Sequence, residues 1–510
     1  MPYGLKDIEL EKLSKVFAAN ERIERVVLYG SRAKGNYKPF SDVDITLEGA
    51  ELTHTDLNRI SLAIDDLLLP YQFDISIFHT LKNEALIDHI RRMGITIYEK
   101  KSEWKEYKLG EIADVQTGPF GSQLHQSDYV DAGIPSIMPV NIGNRMDIST
   151  EKIVYITEKD AKRLSRYRVQ IGDIVYSRRG DVEKCAYINE KENGWLCGTG
   201  CLRIRIDLSK ADSKFIAYYL STDDMKSWIS NNAVGTTMPN LNSSILQQIP
   251  LSLPTLPTQR RIASILSSLD DKIDLLHREN ATLEQMAETL FRQWFVVERK
   301  EEWEEGKLGD YVVETVGGEW GKENPEGDYT KAVQCIRGTD IADLNVGLAT
   351  KTPIRFVKES KFEKIEPRNG DIIMEISGGT ENQSTGRVTY VNKDVKVLFD
   401  YPIVFSNFCR LLRVKEEYTY FVYCYMKYLY EQDEFFNLEN GSSGIKNLDY
   451  KALLYELTYP MPTHKQQILD FNDKVSVYFE KINRNKLQIQ TLIQTRDGLL
   501  PKLMNNEINI

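Results

Sequence analysis

The sequence predicts an α+β multidomain protein: a small α/β domain, then two α/β modules joined by two long coiled-coil helices. Three observations carry that expectation. Residues 258–300 and 463–504 place apolar side chains at alternating spacings of three and four, the seam of a helix that packs on another helix. Landmarks of the 104–257 segment return in order in 303–462, about 200 residues later, a period that marks duplicated domains rather than a solenoid. Residues 1–100 share neither feature and have a texture of their own.

In that first segment, Ile8–Phe17 reads as an amphipathic helix. A strand through Val26-Val27-Leu28 runs into Gly30-Ser31, and a helix follows across Arg32-Ala33-Lys34. Further strands are expected at Asp42–Thr46 and at Phe73–Ile77. Alternation along a strand puts Asp42 and Asp44 on one face, with Asp74 offered from the next strand. Three such carboxylates repel each other unless a divalent cation joins them, a donor set suited to Mg²⁺ carrying a nucleoside triphosphate. Gly30 and Ser31 add backbone N–H groups and a hydroxyl suited to phosphate oxygens.

The run GSRAKGNYKPFSDVDI, with the later FDIS, resembles the minimal nucleotidyltransferases of the polymerase-β-like superfamily. The resemblance implies that Gly30 and Ser31 hold the triphosphate. It also implies that Asp42, Asp44 and Asp74 bind Mg²⁺ ions that activate a hydroxyl and stabilise departing pyrophosphate. Members of that family often work with a helical protein partner and can place a nucleotide on a protein hydroxyl. A retained fold used only for attachment is the competing reading.

The repeat opens at Trp104-Lys105-Glu106-Tyr107-Lys108-Leu109-Gly110-Glu111 and again, 199 residues on, at Trp303-Glu304-Glu305-Gly306-Lys307-Leu308-Gly309-Asp310. Gly172-Asp173-Ile174-Val175 matches Gly370-Asp371-Ile372-Ile373, and Gly235-Thr236-Thr237-Met238-Pro239-Asn240-Leu241 matches the stretch from Gly441 to Leu448. Between these landmarks lie short β runs broken by Gly, Asn and Pro, with dissimilar polar loops. One aromatic-rich helix per half, FIAYYLSTDDMKSWISN and YFVYCYMKYLYEQDEFFNL, is expected to fill a core. No Asp, His, Cys or Ser constellation repeats, so the duplication suits two readers of different targets better than two copies of an enzyme.

The first long helix carries Ile262, Leu266, Leu269, Ile273, Leu276, Leu283, Ala287 and Leu290, interrupted by Asn280. The second carries Ile468, Phe471 or Val475, Tyr478, Ile482, Ile489 and Leu492, interrupted by Asn485. Asn280 lies 23 residues after Pro257 and Asn485 lies 23 residues after Pro462. Paired seam asparagines fix register at some cost in stability. Each helix spans roughly 60 Å at 1.5 Å per residue.

A net charge of −10 argues against a generally basic nucleic-acid coat but leaves room for local basic clefts. Six scattered cysteines, without a CxxC pair, read as free thiols. With neither an export signal nor an eighteen-residue apolar run, a cytoplasmic protein without membrane contact is expected.

From Trp104 to Leu503 the order of parts resembles the specificity subunit of a type I restriction-modification system. The helix QRRIASILSSLDDKIDLL is especially close. The resemblance implies domains at 104–257 and 303–462 that each recognise half of a bipartite double-stranded DNA target. It implies that helices 258–300 and 463–504 form an antiparallel coiled coil, set the spacer and dock two methyltransferase subunits and, through them, the restriction subunits. The specificity region would not itself be catalytic, and the 1–100 domain lies outside that family plan. Candidate DNA contacts are Arg178, Arg179, Lys184, Arg203, Arg205, Thr236, Thr237 and Asn240 in the first module. Ser384, Thr385, Arg387, Lys446 and Asn447 are their counterparts in the second. An arginine fork can read guanine or merely hold phosphate. The alternative function is a metal-dependent nucleotidyltransferase acting on a protein or small-molecule hydroxyl, with the repeated region as its recruiter.

Overall fold

The computed structural model describes residues 2–508 apart from 21, 39, 101–103, 236–238, 350–351, 381–382 and 442–445. In the N-terminal domain, helix α1 (Asp7–Ala18) leads to strand β1 (Arg25–Leu28) and the single-turn helix α2 (Gly30–Ala33). Strand β2 (Val43–Glu48), helix α3 (His54–Asp65) and strand β3 (Phe73–Ile77) follow, then helix α4 (Glu84–Met93) and strand β4 (Ile95–Glu99). The sheet order is β3-β2-β1-β4, with β2 and β3 parallel. Leu13, Phe17, Val26, Leu28, Val43, Ile45, Ile60 and Ile64 fill its core. Thr53 begins α3 in a capping box with Asp56, which satisfies N–H groups that the first turn would leave unpaired.

The two modules repeat one topology. In the first, an antiparallel sheet runs Cys185–Tyr187, Ile174–Ser177, Cys201–Ile206, Ala113–Thr117. In the second the same order is Val388–Tyr390, Ile372–Glu375, Cys409–Val414, Val312–Gly317. Each module has a second sheet with one parallel pair, Ile134–Ile137 beside Leu196–Cys197 and Tyr329–Ile336 beside Ile403–Phe405. In each, the opening strand also pairs with the strand just before a long helix: Lys105–Lys108 with Pro250–Leu253, and Glu304–Gly306 with Tyr459–Met461.

The repeat extends to buried ion pairs. Arg205 grips Asp173 with both Nε and Nη2 (2.8 and 2.7 Å), and Arg413 bonds Asp371 at 3.0 Å from the matching strand positions. The aromatic helix of the second module, Thr419–Glu431, packs Phe421, Tyr423 and Tyr425 into the core, as its spacing predicts. The corresponding stretch of the first module is broken into helices Ser213–Leu220 and Asp223–Asn232. All six cysteines are free and buried. No helix among the described residues is long and apolar enough to cross a membrane.

The first long helix runs Leu256–Arg292 and ends in a π-helical turn, Gln293–Val297. It starts two residues before the expected Thr258, because Pro257 fits a first turn whose N–H has no intrahelical acceptor. The second helix, Lys465–Met504, continues through Gly498 and Pro501. Three bonds give the pairing its direction: Asp270–Arg496 at 2.7 Å, Asn280–Asn485 at 2.8 Å and the Trp294 carbonyl with Gln467 at 3.4 Å. Numbers rise on one helix as they fall on the other, so the pair is antiparallel. Asn485 Nδ2 also donates to Glu279 (2.9 Å). Ile273, Leu276 and Ile489 pack beside this polar rung.

One seam position differs from expectation. Phe479, 1% exposed, replaces Tyr478 in the buried stripe. The second helix also packs on the second module, where Phe479 stacks on Tyr420 at 4.5 Å. Asn472 accepts the backbone N–H groups of Tyr420 and Phe421 (2.9 and 3.1 Å), and Asn483 accepts the Tyr390 hydroxyl at 2.7 Å. Serving two neighbours widens the buried face beyond a two-position seam.

Candidate functional sites

In the N-terminal domain, the parallel register sets Asp44 directly beside Asp74. Asp42 lies just before β2, which begins at Val43. Burial pushes the Asp44 carboxyl up, the charges of Asp74 and Asp42 add to the rise, and Arg32 opposes it. Among the described residues, no three His, Cys, Asp or Glu side chains converge as a ready-made metal site.

Gly30 and Ser31 open α2 beside these carboxylates. Gly30 has φ +73°, and a Cβ there would stand 2.1 Å from Asp44 Oδ2. Only glycine suits that backbone conformation and that approach.

Arg32, in the helix opened by Gly30-Ser31, is only 1% exposed, a burial that an arginine in sequence does not announce. Its guanidinium donates to the carbonyls of Ser41 (2.8 Å), Asp42 (3.1 Å) and Tyr3 (3.0 Å) and lies near the rings of Tyr37 and Tyr71. It therefore fixes the backbone from which Asp42 and Asp44 project. The signal for it was its place in GSRA, two residues after Gly30.

The candidate DNA contacts divide into two groups. Arg203 is buried and bonds Asp114 (2.9 Å) and the Arg166 carbonyl (2.9 Å). Arg205 belongs to the duplicated ion pair with Asp173. Lys184 pairs with Asp181 at 3.0 Å. In the second module Arg387 forks onto Glu375 (2.9 and 2.7 Å). Lys446 Nζ bonds Glu439 at 2.7 Å, and the Thr385 N–H donates to the same carboxylate at 2.6 Å. Ser384 and Thr385 are both buried, and the Ser384 carbonyl accepts the Tyr430 hydroxyl at 3.0 Å. Most of these side chains are tied up within their own modules, and for Arg203 and Arg205 the sequence concealed it because the acidic partners lie 89 and 32 residues away.

Arg178, Arg179 and Asn240 stand apart. Arg179 bridges Asn240 through the backbone, as Ser377 pairs with Asn447 in the second module. The Asn447 side chain also hydrogen-bonds Ser377 Oγ. Arg178 Nε and Asn240 Oδ1 are buried without a hydrogen-bond partner among the described residues. Thr236 and Thr237 lie outside the described residues.

The fold therefore defines a duplicated protein: one scaffold built twice, with different polar side chains on matching frames, in a chain that also holds an antiparallel pair of long helices. Residues 101–285 and 300–491 match the type I restriction modification DNA specificity domain, and residues 11–103 match the polymerase beta nucleotidyltransferase family. The first matches cover more than half of the 510 residues, and the chain belongs to the type I restriction modification DNA specificity family.

Among its relatives is the type I restriction enzyme MjaIX specificity subunit of Methanocaldococcus jannaschii. It is 25% identical over 433 residues, covering 80% of this chain and 94% of the relative. The HindI specificity subunit of Haemophilus influenzae is 23% identical over 478 residues, covering 80% and 100% respectively. A crystal structure of a type I restriction-modification S subunit from M. genitalium aligns with 79% of this chain and 97% of its own, at 16% identity and a TM-score of 0.49.

Proposed function

We propose that this chain is the DNA sequence-specificity subunit of a type I restriction-modification complex. Modules 104–257 and 303–462 each read one half of a bipartite duplex target. Helices 258–300 and 463–504 set the spacer and dock two methyltransferase subunits, which bring in the restriction subunits. The duplicated sheet topology carries this reading: the Arg205–Asp173 and Arg413–Asp371 pairs are kept in both modules, while the polar side chains around them differ. A residue common to both modules cannot distinguish two half-sites, so it serves the shared scaffold or the shared phosphate backbone. Mapping the methylated motif made by the chain with its methyltransferase subunits tests the reading. A split motif is expected, and methylation without sequence preference would overturn it.

The 1–100 domain supports a second activity. Gly30, held against Asp44, and the mutual repulsion of the carboxylates fit a cation and a triphosphate. Mg²⁺ commonly binds one or two carboxylates together with substrate phosphates rather than a complete protein cage. Asp42, Asp44 and Asp74 would hold it, and Gly30 and Ser31 would face the phosphates. The bound ion would supply charge stabilisation at the phosphoryl oxygens. Arg32 keeps the carboxylate-bearing backbone in place. The acceptor is a protein or small-molecule hydroxyl, and the domain works beside a helical protein partner. Incubation with Mg²⁺ and labelled nucleoside triphosphates should label an acceptor and release pyrophosphate. A wild-type complex that labels nothing would leave attachment as the domain's role.

A further inference from the structure

We infer that Arg178 in the first module and Arg410 in the second each read one guanine, held ready by Phe120 and Tyr450. The inference rests on the DNA-reading role proposed above. Buried donors without partners are rare and call for an explanation. Arg178 and Arg410 each leave Nε buried and unpartnered among the described residues. Each guanidinium lies over a ring, 5.5 Å from Phe120 and 4.8 Å from Tyr450 respectively. Such a ring steadies a cation without occupying its hydrogen-bond donors. Arg203 also leaves its Nε unpartnered, but its Nη1 and Nη2 are held by the Arg166 carbonyl and Asp114, and Arg205, Arg355, Arg387 and Arg413 are committed to carboxylates.

The two arginines occupy nearby places on the duplicated scaffold, from adjoining strands. Arg178 follows the Ile174–Ser177 strand and donates its backbone N–H to Gly200 at 2.8 Å. Its counterpart is Ile376, whose N–H meets Phe408 at 2.9 Å. Arg410 lies opposite Met374 on the adjoining strand, and its counterpart Leu202 lies opposite Tyr176. Alternation gives positions 176 and 178 the same face, so the Arg178 and Arg410 positions share a face at the same end of the sheet. They are offset by two residues along it. Room is left for the second fork, because a Cβ on Gly317 would come within 2.9 Å of Arg410 Nη1. One fork per module, on one face at different offsets, suits two readers of different half-sites. The guanidinium fork matches guanine O6 and N7 in the major groove.

The test is selection from a random duplex library by the full chain assembled with its methyltransferase subunits. Wild type is compared with Arg178→Ala, Arg178→Lys, Arg410→Ala and Arg410→Lys. Each alanine variant should relax one G·C position in one half-site, lowering discrimination there roughly 5- to 150-fold, and leave the other half unchanged. The lysine variants keep the charge but lose the fork, so they should relax the same position. If an alanine variant unfolds, its lysine counterpart with wild-type melting behaviour decides the matter. An unchanged motif, or a loss of affinity equal for all sequences, would overturn the assignment. A wild-type complex selecting no split motif would bring down the DNA-reading role itself, and this assignment with it.

Discussion

A heptad inserted into both long helices should lengthen the DNA spacer. The Asp270–Arg496 and Asn280–Asn485 rungs bracket a stretch where Ile273 and Leu276 pack on Ile489. Seven residues placed after His277 and seven after Leu487 leave both rungs intact, because the insertion points are level in the antiparallel pairing. At 1.5 Å per residue the pair grows by roughly 10 Å, or about three base pairs at 3.4 Å per step. Seven residues also fall only about 20° short of two full turns, so each seam continues, as it would not after an insertion of two or three residues. The assay is the methylated motif of the lengthened protein compared with its parent. Both half-sites should persist with a spacer longer by about three base pairs. Altered half-sites with an unchanged spacer would refute the reasoning and mean that the helices shape the reading surfaces instead.

Other expectations follow from individual residues. Asp44→Asn should abolish nucleotide labelling by at least about 100-fold, the scale of a lost charge-stabilising group, while the methylated motif stays the same. Arg413→Met leaves Asp371 buried without its cation and should cost about 3–5 kcal/mol, read by denaturant titration. Asn472→Ala removes the acceptor for two backbone N–H groups and should cost about 1–2 kcal/mol by the same measure. Burial lowers the Lys486 ammonium to about 8, below its unfolded value of about 10.4. Between those values the unfolded chain holds the extra proton, so the Lys486 contribution to stability should rise with pH from about 8 to about 10.4. Lys486→Met should flatten that rise in a melting-temperature series.

Periodic features were readable from sequence because periodicity is local. The helix seams, their asparagines and the Phe73–Ile77 strand depend on side chains a few residues apart. The helix pairing was legible through two polar breaks at equal distances from two prolines. The candidate DNA contacts were much less legible. Arg203, Arg205 and Arg387 look like free cations in sequence, but Asp114, Asp173 and Glu375 hold them, 89, 32 and 12 residues away. Conversely, Arg410 escaped notice because the clue to it is a missing partner and a ring 40 residues later, at Tyr450. Phe479, Asn483 and Lys486 were obscured because their face of the helix meets the second module as well as the other helix.

The attachment of the second module limits which modules could be grafted in its place. Asn472 takes hold of backbone N–H groups, so any incoming cassette whose helix begins at the same place will satisfy it. Asn483 needs a hydroxyl at position 390, and Glu284 and Glu288 need the Lys427 ammonium. A transplanted cassette without that hydroxyl and that cation strands an amide and two carboxylates at the graft. Exchange of whole modules is therefore restricted to donors with matching attachment residues. Point changes on the loops leave these attachment contacts untouched.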